Sequence, residues 1–416
     1  MKSEDQNTSY RWLVLAAGCL AICSIYMNMI AYAPILGEIA KKLNIEFGTA
    51  TNLMMGFVLA VACVLTWGGV VCDKFGMTTA LVLGLLCSTV PTALMPWIGN
   101  NFTTVMLARL IQGASVGFVF ATIGPILALW FPPKEHGMAS GLLIGSVSLG
   151  CAIGVFTSPA ILGITGSWEK TVFILGTPGW AAILFAILIT RRTPPVSNMP
   201  EALASHGMPA ETMTFMGALS CPITWLGSLI VFCNAWAMYC LYNLVPPYLA
   251  AEAPMGLGLG AAMSGKLSIA VTIIGLFATI FGGIFFDKFA KGDSRAAAII
   301  GFLISACVIV ILSTAISKNI YFLTLCLLFS GWGIPFMGPS ISAFIAMNYP
   351  PGIVGRMIGW WFGFGSFGGA AGLYLGGMTI SSSGNFYLAI SMISVVSIIG
   401  VVLSIFLKSK LKTTSA

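Results

Sequence analysis

Charge is what this sequence has least of. Only 7% of its 416 residues are Asp, Glu, Lys or Arg, where soluble domains carry roughly 25%. A water-covered globular domain is therefore excluded. Acids are scarcer than bases, 12 against 19, and His occurs only twice, at His136 and His206. The acids sit in segments between apolar runs or at the ends of those runs, and none lies in the middle of one. No Gly-x-x-x-x-Gly-Lys-Ser/Thr segment occurs, so the chain is not expected to draw on a bound nucleotide. Nor does any apolar run gather a nucleophile, a base and a third group, so an enzyme is not expected, and neither a cofactor nor a metal is called for. The eleven Cys, among them Cys19, Cys23, Cys63, Cys151, Cys307 and Cys326, are scattered without ligand or disulfide spacing. They read as small core residues.

What the sequence has is apolar length. Hydrophobic residues make up 58% of the chain, in repeated runs long enough to cross a hydrocarbon core of roughly 30 Å as helices. A β-barrel is excluded because its strands alternate in polarity, and these runs do not. The chain is expected to be an all-α, multi-pass membrane protein in contact with a lipid bilayer. Spans are expected near 11–37, 48–72, 77–97, 101–130, 137–163 and 170–190, then near 223–249, 262–286, 296–316, 319–348, 352–380 and 385–407. The widest polar interval separates two sets of six: an amino-terminal bundle over 1–190, a linker over 191–222 and a carboxy-terminal bundle over 223–416. The amino terminus is polar up to Ser9 and then enters a full-length span, so it does not read as a cleaved secretory signal.

Bases gather on the cytoplasmic side of short loops. With the amino terminus inside, Lys2, Arg11, Lys74, Lys134, Arg191, Arg192, Lys288, Lys291, Arg295, Arg356, Lys408, Lys410 and Lys412 all fall inside, against Lys41, Lys42, Lys170 and Lys318 outside. Both termini and the linker are thus expected in the cytoplasm, with the protein in the cytoplasmic (inner) membrane. The net charge of +7 belongs to this asymmetry and is not a nucleic-acid signal.

The chain also repeats itself. Gly69, Asp73, Lys74 and Gly76 end the second run, and Gly283, Asp287 and Lys288 end the eighth, 214 positions later (287 − 73). At an offset of 218, Pro132, Pro133, Gly137, Gly141, Gly145, Gly150 and Gly154 fall on Pro350, Pro351, Gly355, Gly359, Gly363, Gly368 and Gly372. Tyr26 precedes Pro34 by eight residues and Tyr239 precedes Pro247 by eight. Rows of glycine let helices approach closely in lipid, so spans five and eleven are candidates for a sliding contact between the halves.

On these residues the chain resembles the major facilitator superfamily of secondary transporters, over all of its spans. Gly69 to Gly76 is similar to the loop motif between spans two and three, with Gly283 to Lys288 as its second copy, although Met77 and Thr78 replace the usual basic pair and Ala290 stands where a Gly would be. Arg109-Leu-Ile-Gln112-Gly113 resembles the fourth-span motif, and Gly141 to Gly154 the fifth-span glycines. The resemblance implies two pseudo-symmetric six-helix bundles that rock about a central site. Asp73 and Asp287, with Gly69, Lys74, Gly76, Gly283 and Lys288 around them, then act as conformational latches near positive helix ends of the other half.

A charge inside the bilayer is costly and usually functional, which singles out Arg109; Leu327 is its repeat counterpart. Its guanidinium suits a carboxylate, sulfonate or phosphate, or braces helix carbonyls and Gln112. Lys266, near the outer end of span eight, is a second candidate ligand. Polar and aromatic groups at helical spacing complete the list: Tyr26, Asn28 and Tyr32 in span one, Trp236, Tyr239, Tyr242 and Asn243 in span seven, then Trp332 and Trp360. A positive interior without acids favours a small organic anion, a carboxylate before others, moved by exchange, by uniport or with a co-transported proton. An exporter of neutral or amphiphilic compounds is the alternative, and a non-transporting receptor a more distant one. A monomer is expected.

Overall fold

The computed structural model describes residues 2–132, 135–190, 214–290, 293–313, 316, 319–349 and 351–407, with side chains described there except at 2–9, 66, 73, 128, 136–137, 287, 346 and 351–352. Among the described residues there is helix and no strand. The first half contains α1 (Lys2–Ile30), α2 (Asn52–Phe75), α3 (Met77–Ile98), α4 (Phe102–Phe120), α5 (His136–Thr165) and α6 (Trp168–Thr190). The second contains α7 (Pro222–Ala250), α8 (Gly260–Ile284), α9 (Ser294–Ala306), α10 (Ile320–Asn348), α11 (Pro351–Ser383) and α12 (Tyr387–Ile405). Among the described residues, eleven segments are long and apolar enough to cross a membrane. α11 adds the length of a twelfth with 33 residues, its hydropathy diluted by glycine and serine.

Two of the expected spans are interrupted at a proline. Proline lacks the N–H that a helix interior needs. Before Pro34, α1 stops at Ile30 and the chain continues through a 3₁₀ turn, Ala33–Ile35, into the short helix Leu36–Leu43. The carbonyl oxygen of Ala31 instead accepts a 2.5 Å hydrogen bond from Ser158 Oγ of α5. The fourth span likewise divides into α4 and a shorter helix, Ile123–Trp130, with Pro125 four residues after Ala121 at the joint. In α7, by contrast, Pro246 and Pro247 are carried inside a continuous helix.

The halves are built alike. Gly113 of α4 has no room for a Cβ because it packs on the Phe57 carbonyl of α2, and Gly331 of α10 packs on the Val271 carbonyl of α8 in the same way. Gly150 and Gly154 of α5 press on the Cys23 and Met27 carbonyls of α1, while Gly368 and Gly372 of α11 press on the Phe232 carbonyl and the Trp236 ring of α7. Spans five and eleven do meet the other half, but not with the whole glycine row: the later members of each row pack inside their own half. It is the earlier ones that face across, Gly145 toward Leu276 of α8 and Gly359 toward the Leu65 carbonyl of α2.

The halves meet along two seams, α2 with α11 and α5 with α8. We call the side bearing Tyr10 and Gly76 the amino-terminal face and the side bearing Gly48 the opposite face. Near the opposite face the short helix Phe47–Ala50, which leads into α2, meets α11 backbone against backbone: a Cβ on Gly48 would strike the Gly377 carbonyl and would lie 2.8 Å from the Ser381 nitrogen. Phe47 and Phe386 cover this contact with ring centroids 5.5 Å apart. Toward the amino-terminal face, Cβ atoms on Gly69 of α2, Gly141 of α5 and Gly355 of α11 would meet nothing within 4 Å among the described residues. Among the described residues the halves are therefore in tight backbone contact near the opposite face.

The two loop motifs differ by one conformational requirement. Gly76 links α2 to α3 at φ 86°, which an L side chain rarely adopts. Ala290 takes φ −79° instead and α8 ends in a π-helical turn, Phe285–Phe289. Lys74 and Lys288 are exposed, with the Lys74 ammonium 5.4 Å from the centre of the Phe75 ring. The carboxylates of Asp73 and Asp287, and most of the expected linker, lie outside the described residues.

Candidate functional site

The expected site residues separate into three groups. The first is a cage inside the amino-terminal half. Arg109, with 0% exposure, donates from Nε to the Leu53 carbonyl at 3.0 Å, from Nη1 to Gln112 Oε1 at 3.1 Å and from Nη2 to the Met29 carbonyl at 3.2 Å. Its guanidinium lies 4.2 Å from the centre of the Tyr32 ring and 4.7 Å from that of Phe57. Gln112 passes the connection on, donating from Nε2 to Thr92 Oγ1 at 2.9 Å. Asn28 belongs to the same interior, its Nδ2 donating to Ser88 Oγ of α3 at 3.1 Å. Burying a cation is costly unless partners replace its water. Here carbonyl oxygens and ring faces do so: the ion pairs among the described residues join Arg11 to Glu135, Lys41 to Glu38 and Arg295 to Asp293, and none involves Arg109.

The second group gathers where the halves meet. Tyr26 of α1 is buried beside the Phe120 ring at 6.0 Å and within electrostatic reach of Tyr239, Tyr242 and Cys151. Tyr239 reaches both seam helices, against Gly369 of α11 and beside Val58 of α2. The Tyr242 hydroxyl lies over Gly275 of α8, with Ser148 of α5 and Pro335 of α10 alongside. Phenols from both halves therefore lie near one another in the buried interior, with the Tyr239 hydroxyl paired to Ser366 of α11. Asn243 donates from Nδ2 to the Tyr239 carbonyl at 2.8 Å, one turn back along its own helix. Trp236 is buried against Gly372, its Nε1 without a partner.

The third group stands elsewhere. Lys266 is exposed near the start of α8, Trp332 packs on Phe281 at 5.6 Å, and Trp360 sits among Phe215, Trp225 and Phe364 beside the amino-terminal end of α7. The structure does not bring these three to the phenols. It adds Ser148 and Cys151, whose spacing along the glycine-rich α5 is the only mark they leave in the sequence.

Two bundles of six helices, repeated in order and joined by two seams around a buried polar centre, are an arrangement on which secondary carriers are built. The model of the Major Facilitator Superfamily matches residues 18–318 and 227–415, and the chain belongs to that family of transporters. It is 25% identical to a probable anion transporter 5 of Arabidopsis thaliana over 58% of each chain, so that match spans little more than half of that relative's length. It is 25% identical to a probable sulfoacetate transporter, SauU, of Cupriavidus necator over 70% of this chain and 69% of the other. It is also 24% identical to the quinolone resistance protein NorA of Staphylococcus aureus (strain COL) over 85% of each.

Proposed function

We infer that this transporter carries a small organic anion, a carboxylate before others, across the cytoplasmic membrane, acting as a monomer with both termini inside. It acts as an exchanger or a proton-linked symporter, neither of which needs a carboxylate in the spans. The observation that carries this reading is Arg109: a buried positive charge with no ion-pair acid among the described residues. With its donors committed to the cage, it acts on a solute through its field. At an effective dielectric constant near 20, a unit charge about 10 Å away is worth about 1.7 kcal/mol. The solute's oxygens would accept from the hydroxyls of Tyr26, Tyr239 and Tyr242. The relatives named as anion and sulfoacetate transporters fit this reading. When the amino-terminal face closes, Asp73 and Asp287 would engage helix starts across the seam.

A second reading, export of neutral or amphiphilic compounds, is favoured by how completely Arg109 is bonded to its own half and by the NorA relative. Solute counterflow in proteoliposomes, against a panel of carboxylates, sulfonates and amphiphiles, separates the two. Carboxylate counterflow should fall at least tenfold in Arg109→Gln and less in Arg109→Lys, at an unchanged amount of folded protein. Amphiphile transport with no anion counterflow would establish the second reading instead.

A further inference from the structure

A groove opens on the outside of the amino-terminal half, between α3 and α6. The halves meet through α2, α5, α8 and α11, whereas α3 and α6 pack on helices of their own half. Their outer sides carry exposed Leu83, Leu94, Leu184 and Leu188, so they face lipid. The two helices run antiparallel and are pinned at two levels. Deep in the span a Cβ on Gly176 or Gly179 would strike Thr92 or Thr89, and at the amino-terminal face Thr78 Oγ1 donates to the Thr190 carbonyl at 2.9 Å. Between these contacts lies a groove of about 330 Å³, lined by Thr78, Thr79, Val82, Leu83 and Leu86 of α3 and by Ile187 of α6.

Its length and lining suit a lipid chain. At 1.5 Å per residue, Leu86 lies about 12 Å below Thr78 along α3, most of the depth of one leaflet of a hydrocarbon core roughly 30 Å thick. Four of the six lining residues are aliphatic, and the two hydroxyl residues stand together at the amino-terminal face. The groove is therefore polar where a headgroup sits and apolar where a chain runs. Charge at that end is positive. Lys74, in the last turn of α2, is exposed, and Gly76 turns the chain from there straight into α3. In the sequence Arg191 and Arg192 follow Thr190 directly, and Asp73 is the acid that stands against these three bases. Bases beside a cleft between spans favour anionic lipid headgroups. At the repeat offset of 214, Thr78 and Thr79 fall on Gly292 and Asp293, so the second half carries an acid where the first has a hydroxyl.

We propose that the α3–α6 groove holds one acyl chain of an anionic phospholipid drawn from the leaflet at the amino-terminal face, with its phosphate beside Lys74 and Thr79. Filling the space between the two pinned levels, the lipid braces the outer wall of the half that carries the Arg109 cage. The test is thermal unfolding of the full chain in detergent, titrated with dioleoyl phosphatidylglycerol or dioleoyl phosphatidylcholine. No solute is present, so the outcome is independent of the anion reading. Phosphatidylglycerol should raise the midpoint saturably, at a concentration at least fivefold lower than phosphatidylcholine. Lys74→Gln should weaken phosphatidylglycerol about fivefold, as expected for one base near the membrane surface, while Arg356→Gln, an exposed base of the other half, should leave it unchanged. Leu83→Trp, which fills the groove from its lipid side, should abolish the saturable response, and Leu94→Trp, further along the same helix, should not. Glycerol phosphate, which has the charge without the chain, should shift nothing. On the unaltered protein, phosphatidylglycerol with a photoreactive acyl chain should label residues 78–86 in preference to residues 294–302. Equal responses to the two lipids, a saturable response that survives Leu83→Trp, or labelling spread equally over both segments would overturn the proposal.

Discussion

Adding a single methyl group at Gly48 should move the protein between its two access states. In the closed seam a Cβ there collides with the Gly377 carbonyl and with Ser381, where backbone gives the contact little freedom to yield. Overpacking of this kind costs about 1–3 kcal/mol. The cost falls only on the state in which the Phe47–Ala50 helix and α11 touch at the opposite face, so it displaces the equilibrium toward the open one. With about 1.4 kcal/mol per factor of ten, the shift is about 5- to 150-fold. The reporter is a cysteine at Val58, which is buried beside Tyr239 and Gly369 within this seam. In a background freed of native cysteines, maleimide labelling of Val58→Cys should accelerate by that factor when Gly48→Ala is added. Gly141→Ala is the control, because its Cβ meets nothing within 4 Å. Labelling equally fast with and without Gly48→Ala would show that the glycine contact does not hold the seam, and the reasoning would fail.

Two further predictions concern single groups. Ser158→Ala strips the Ala31 carbonyl of its donor where α1 is broken, and should lower unfolding stability in detergent by about 1–3 kcal/mol, with Ser158→Thr restoring most of it. Ser264→Ala removes a similar bond to the Pro246 carbonyl, but from a continuous helix, and should cost about 1 kcal/mol or less. Tyr239→Phe removes a hydroxyl from the place where the halves meet; half-saturation for a transported carboxylate should rise about tenfold while the unfolding midpoint stays within a degree or two.

Much of the architecture is legible in the sequence because lipid demands it. Apolar length marks the spans, and helices approaching closely in lipid leave glycine at the contact. The repeat of Gly113 on Gly331 and of Gly150 on Gly368 is therefore visible as spacing before any contact is known. Which way each glycine faces is not visible, since a span surrounded by lipid and by other helices carries apolar residues on every side. Gly145 and Gly150 look alike in sequence, yet one faces the other half and the other faces α1. Trp332 and Trp360 stand apart from the phenols for the same reason. The Arg109 cage leaves still less trace, since two of its acceptors are the carbonyls of Met29 and Leu53, and every residue has a carbonyl.

The comparison between halves separates what the backbone requires from what the cargo requires. Positions that set helix spacing recur: Gly113 with Gly331, Gly150 with Gly368, Gly154 with Gly372. Of the residues at the central seam, Tyr26 and Tyr239 map onto each other, so both halves offer a phenol to one place. Charge and its cage do not recur: Arg109, Tyr32 and Phe57 face Leu327, Val245 and Val271 across the repeat. Two bundles with the same helix packing can exchange roles at the seams only if their glycines match, whereas one fixed positive charge is enough to polarise the space between them. A second guanidinium at Leu327 would place another positive charge in the core, with a further desolvation cost and no acid to offset it. An asymmetric site on a symmetric scaffold follows from these two demands acting on different residues.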